Sequence, residues 1–238
     1  DLPSPHAPPG PLIAMIDGWV QYFDKKEYTL YLILLRSIPS TRATLTKPIV
    51  LAGHENMNGW KQVFSALDPA ILNRIRAVVS DGFSGYQVFS KERGWIHQRC
   101  HVHLLRTLYP LLGKRCSTPK HKGLRKKMYQ LVLNILETSD HKRAERLASQ
   151  LSEMAHYSYC PKWFGLRTRG FLKQYQDFRS YIKYPELHLP KTTNAAECVF
   201  RQLSDTLRQT RGFRNPQAMI KWIDLQFKII RSVQCNGF

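Results

Sequence analysis

Asp17, Asp81, Glu197 and the pair Cys100 and His103 are the residues whose types and spacing could do chemistry. Asp17 and Asp81 each follow an apolar run, residues 12–16 and 75–79, and each precedes a glycine. In open α/β sheets ligands gather outside the carboxyl ends of strands, and carboxylate oxygens there suit a hard divalent cation such as Mg²⁺. Asp-Gly is also a common turn dipeptide, so either step alone reads as a turn. The two together, 64 residues apart in a strongly basic chain, read as a site. In Gln98-Arg99-Cys100-His101-Val102-His103, Cys100 and His103 share one face of a helix start. They form either half of a zinc site, completed by Cys116 or Cys160, or a packed thiol beside a hydrogen-bonded imidazole. No second close pair accompanies them, which favours packing. In Thr192-Thr193-Asn194-Ala195-Ala196-Glu197, the Asn194/Glu197 spacing is that of a capping box. The same spacing puts a carboxylate in the first helical turn, but on composition alone the cap is the favoured reading. Asp205 is a rival third acid eight residues on, and His54 and Asn56 lack a partner in sequence.

These residues need elements to hold them. Residues 12–16, 28–35, 49–51, 75–79 and 95–98 read as strands. Residues 58–67, 84–93 and 102–112 read as helices, the first with Trp60, Val63, Phe64 and Leu67 on one stripe. Strands alternating with helices imply βαβ crossovers, and the first three strands suggest an opening meander. Beyond residue 112 the strand signal fades. Leu124, Met128, Leu131 and Ile135 form one helical stripe, and Ala144, Leu147, Ala148 and Leu151 another, capped by Ser139 or Asp140. Residues 170–183 read as a third helix, and 195–209 and 216–232 as a final pair, with Pro216 at a first helical position. Trp163, Phe164 and Trp222 are expected in the core.

The 238 residues carry 36 Lys+Arg against 17 Asp+Glu, a net charge of +19 and a pI near 10.0. With 43% hydrophobic residues the chain fills a core, so the charge points to a polyanionic partner, nucleic acid foremost. Candidate phosphate contacts are Lys114, Arg115, Lys120, Lys122, Arg125, Lys126 and Lys127, a run without acids, and Arg201, Arg208, Arg211 and Arg214 after Glu197. No apolar run reaches the ~20 residues of a membrane helix. Five irregularly spaced cysteines argue against a disulfide framework and for a reducing compartment. The Pro-rich residues 1–11 read as a linker severed from something upstream.

In order, the segments VVSDGFSGY (78–86), QRCHVHLLRTL (98–108) and TTNAAECVFRQL (192–203), with Asp17 ahead of them, resemble the DDE transposases of the Mutator-like superfamily, in particular its bacterial insertion-sequence members. The likeness spans about residues 12–232. It implies an α/β fold: a ribonuclease H-like mixed sheet flanked by helices, with an all-helical insertion before the catalytic Glu helix. The core would be 12–112 with 191–238, and the insertion 113–190. Asp17, Asp81 and Glu197 would be the catalytic acids holding two Mg²⁺ ions, with Mn²⁺ able to substitute. Cys100 and His103 would support the site structurally. The implied activity is cleavage and joining of double-stranded DNA at transposon ends. Also implied are a homodimer on DNA, an upstream DNA-binding domain outside this chain, and a bacterial, cytoplasmic, nucleoid-associated setting. The alternatives are a domesticated, non-catalytic DNA-binding protein of the same fold, or a structure-specific nuclease.

Overall fold

The structure, a computed structural model, describes residues 7–23, 25–83, 85–112, 119–158, 160–210, 213 and 215–235. Seven strands form one mixed sheet: β1 (Leu12–Phe23), β2 (Lys26–Ser37), β3 (Arg42–Leu45), β4 (Ile49–Ala52), β5 (Ile75–Ser80), β6 (Ile96–Arg99) and β7 (Ser232–Gln234). Their order is β6-β5-β1-β2-β3-β7, and β4 pairs with β2. β1 and β2 make a long antiparallel hairpin, whereas β5 and β6 run parallel to β1. The parallel strands are joined by helical crossovers, α1 (Met57–Ser65) and α2 (Pro69–Leu72) before β5, α3 (Gly85–Glu92) before β6.

Alternation along β1 divides the core. Ile13 and Met15 face α9 (Asn194–Gln209) and α10 (Pro216–Ile230), meeting Ala196, Val199, Leu203 and Ile223. Leu12, Ala14 and Ile16 face α1 and α3, meeting Trp60, Phe64 and Phe89. A third apolar cluster belongs to the helices between β6 and α9. These are α4 (His101–Leu112), α5 (Pro119–Glu137), α6 (His141–Ala155), α7 (Lys162–Leu172), the 3-10 segment Tyr175–Arg179 and α8 (Ser180–Lys183). Met128, Ile135, Leu151, Phe164 and Phe178 fill it, with Leu108 of α4. Asp140 caps α6 through the Arg143 amide at 3.1 Å.

Several sequence expectations change. Asp17 lies within β1, not at its end, because the hairpin ladder with β2 continues to Phe23↔Lys26. What ends near Asp17 is the pairing with β5, whose last partners are Met15↔Val79. The short strands β3 and β7 have too few residues for a periodic signal; β3 keeps only two pairs with β2 and is closed by β7. The helix expected over 170–183 breaks into α7, the 3-10 segment and α8. Trp163 is 65% exposed, while Phe164 is buried. Among the described residues no helix is long and apolar enough to cross a membrane.

Candidate active site

Where β1 outruns β5, Asp17 is left beside the strand end that carries Asp81. Asp17 is 7% exposed, and its Oδ1 accepts the Gly18 N–H at 3.0 Å. Burial holds its carboxyl well above the usual range; His103 opposes this, and the charges of Asp81 and Glu55 add to it. Asp81 directly follows β5 in a turn whose Gly82 has φ +118°, and its Oδ1 accepts the Phe83 N–H at 3.2 Å.

Glu55 is an acid the sequence reading missed. Its Oε1 accepts from Trp60 Nε1 at 2.8 Å and from the Tyr86 hydroxyl at 2.6 Å. A Cβ at Gly18 would fall 2.5 Å from its Oε2, so glycine after Asp17 makes room for this carboxylate. No spacing rule marks Glu55; only the run from β4 into α1, capped by Asn56 through Gly59 N at 2.9 Å, brings it here. Through Tyr86 it also braces the helix that follows Asp81. His54 is 72% exposed on its side chain and faces Glu27 instead.

Cys100 and His103 join α4 to α9. Cys100 is fully buried, and its Sγ accepts the Thr193 amide at 3.3 Å and the Thr193 hydroxyl at 3.5 Å. Burial pushes its thiol up, but hydrogen bonds from His103 and Thr193 outweigh burial and bring it below its ordinary value. His103 rises to about 9: its bond with Cys100 comes first, burial opposes, and the charges of Cys100, Asp17 and Asp81 add to the rise. Thr193, not Asn194, is the α9 N-cap, and its hydroxyl serves Cys100 and His103 instead of the helix. A capping box therefore does not form, and Glu197 is free to turn elsewhere. Cys160 lies in the helical cluster 3.9 Å from Met128 Sδ, so it does not complete a site with Cys100; Cys116 lies outside the described residues.

Glu197, in the first turn of α9, is gripped by Arg106 of α4 through two bonds of 2.6 and 2.7 Å. His103 Nε2 stands 3.8 Å from Glu197 Oε1, so one imidazole faces both Glu197 and Asp17. Asp205, the rival acid, is exposed and pairs with Arg208 at 3.4 Å. Among the described residues no three His, Cys, Asp or Glu side chains stand close enough to hold a metal as they are. The donor set nevertheless fits a hard cation: Asp17, Asp81 and Glu197 offer only oxygens, and Asp17 is a desolvated carboxyl beside the like charges of Asp81 and Glu55.

Of the basic candidates, Lys122, Lys126 and Lys127 are exposed on α5, Arg125 is half-buried there, and Arg201 and Arg208 are exposed on α9. Lys120 is the second residue of α5, but its side chain lies outside the described residues, as do Lys114, Arg115, Arg211 and Arg214 altogether.

A family model, that of the Mutator family transposases, matches residues 42–231. The chain belongs to this family. The match takes in Asp81, Cys100, His103 and Glu197, and Asp17 lies ahead of it. No curated protein matches the chain. Family membership makes this transposase a DNA-processing enzyme by class.

The His103 charge gives a stability test of the transposase in chelating buffer. Its folded pKa of about 9 lies above the ordinary 6.5, so its stabilisation is complete below about pH 6.5 and disappears as pH rises through 9. The melting temperature of the unsubstituted chain should exceed that of His103→Gln at pH 6, with the gap closing by pH 9.5. A gap independent of pH would show that His103 acts by packing alone.

Proposed function

We propose that the chain is the catalytic region of a DDE transposase that cuts and joins double-stranded DNA with Asp17, Asp81 and Glu197 as its acids. The observation that carries the reading is the buried Asp17 carboxylate beside Asp81, with Glu197 reached across the shared His103. The strand order, a β1–β3 meander extended by parallel β5 and β6, supports a ribonuclease H-like core. The helices between β6 and α9, with their own apolar cluster, support an insertion at 113–190.

Asp17, Asp81 and Glu197 would hold two Mg²⁺ ions, with Mn²⁺ as a substitute. When bound, such ions activate an oxygen nucleophile, water in cleavage or a DNA 3′-hydroxyl in joining, and stabilise the leaving oxygen. The protein does the rest. Burial keeps water from Asp17, the Phe83 amide orients Asp81, and the Cys100–Thr193 bonds anchor the helix that presents Glu197. Exposed Lys122, Lys126, Lys127, Arg201 and Arg208 would follow the phosphates, so affinity should fall steeply with salt.

The test is nicking of supercoiled plasmid with Mg²⁺, and joining of a 3′-hydroxyl oligonucleotide end to that plasmid. Nicking and a joined product, both abolished by chelator, are expected. Nicking without joining would instead mark a structure-specific nuclease. Binding with no cleavage in Mg²⁺ or Mn²⁺ would mark a non-catalytic DNA-binding protein.

A further inference from the structure

Asp81 is half-buried in a short turn, and its own hydrogen bond reaches only two residues along the chain. Something outside the turn must fix it. The guanidinium of Arg99, at the end of β6, lies against that turn. Its Nη2 donates to the Gly82 carbonyl at 3.1 Å, and a Cβ at Gly82 would overlap the same nitrogen. Glycine is favoured here by its φ of +118°, and the Arg99 guanidinium occupies the space a Cβ would take.

The other side of the guanidinium faces the helical region. Nη1 donates to Gln174 Oε1, and Cζ lies 4.6 Å over the Phe178 ring. That segment is itself stapled to β6 and the residues beside it. Gln98 Nε2 donates to the Phe178 carbonyl at 3.1 Å and Gln98 Oε1 accepts from Tyr181 N at 2.9 Å. Ser180 Oγ donates to the His97 carbonyl at 2.6 Å, and His101 Nε2 meets the Phe178 carbonyl at 2.7 Å. These bonds fix the segment against the sheet, and Arg99 passes the constraint on to Gly82. A planar fork can join two acceptors and stack on a ring at once, which an ammonium cannot.

We infer that Arg99 is a positioning residue that clamps the Asp81–Gly82 turn to the 174–178 segment, so that the helical region sets the place of the second acid. The inference rests on the reading of Asp81 as catalytic. It gives the helical region a role in the chemistry besides DNA contact.

Arg99→Lys keeps the charge and loses the fork; Gln174→Ala releases one end of it. In Arg99→Lys the Phe83 amide should exchange its hydrogen at least tenfold faster, with exchange in β1 and β5 unchanged. Single-turnover nicking should slow at least tenfold and the Mg²⁺ concentration for half-maximal rate should rise, while duplex DNA Kd stays within twofold. Gln174→Ala should shift all of these in the same direction by less, and it carries the test if Arg99→Lys does not fold. Unchanged exchange at Phe83 overturns the clamp. So does a slower rate matched by weaker DNA binding, which would make Arg99 a DNA contact. If the unsubstituted chain does not cleave, the transposase chemistry fails, and the exchange comparison still decides whether the clamp exists.

Discussion

Glu197→Gln should slow metal-dependent strand cleavage by a thousandfold or more while the Kd for duplex DNA stays within twofold. Three decades in rate correspond to about 4 kcal/mol of transition-state stabilisation. A loss of that size is reasonable if a carboxylate that helps to hold catalytic cations becomes neutral. Shape and packing should survive, because glutamine fills the same volume in the first turn of α9. The carbonyl of the amide still accepts one bond from Arg106, whose own side chain is 59% exposed and keeps its charge in solvent when the second bond is lost. DNA affinity should hold or rise slightly, since one negative charge leaves a strongly basic surface. Nicking and filter binding on the same preparation check both halves. Retained cleavage would reduce Glu197 to a structural partner of Arg106, whereas lost binding with retained cleavage would place it in the DNA interface.

Asp17→Asn should have two opposite effects, inactivating the enzyme and stabilising the metal-free fold. The carboxyl is raised chiefly by burial, so the folded chain binds this proton more tightly than the unfolded chain does. Stability therefore falls as pH rises from the ordinary 3.8 through the folded value, and above it the whole cost is present. Asparagine has the same shape and no charge to desolvate. His103 attracts the carboxylate, but that attraction is smaller than the burial it opposes. Removing a buried charge that is only partly compensated should stabilise the fold by an amount on the order of 1–2 kcal/mol at a pH above the folded value. For a chain of this size that is a rise of roughly 2–8 °C in Tm. Calorimetry in chelator across pH 5 to 9 reads it, the gap between variant and parent widening as pH rises, and the same sample should show no nicking. A lower Tm than the parent would mean that the Asp17–His103 attraction outweighs burial. Stability given up to hold a site of like charges is a common compromise in enzymes.

Much of this was legible in one dimension. Apolar runs of four or more residues, the charge surplus and the helical stripes are local properties. Each set an element or a partner class without reference to the rest of the chain. Asp81 after β5, Glu197 in the first turn of α9 and the Asp140 cap follow from such patterns, and the ordered motifs pointed to the family. The sequence could not show where β1 loses its neighbour β5, because register depends on a strand 64 residues away. That loss of pairing, and not the end of β1, is what leaves Asp17 beside the end of β5 that leads to Asp81.

The rest was decided by tertiary structure. On composition alone the six residues 192–197 read as a capping box, and the structure instead gives Glu197 to Arg106. The choice fell to Cys100, whose sulfur takes the Thr193 amide and hydroxyl across 93 residues. Glu55 has no motif, and Arg99 stands in a motif read only for Cys100 and His103; both matter because two crossovers bring them against the Asp17–Gly18 step and the Asp81–Gly82 turn. Short-range periodicity follows from the geometry of one strand or helix, so a sequence specifies it alone. The meeting of side chains from separate elements depends on how those elements pack, and only the folded chain determines that.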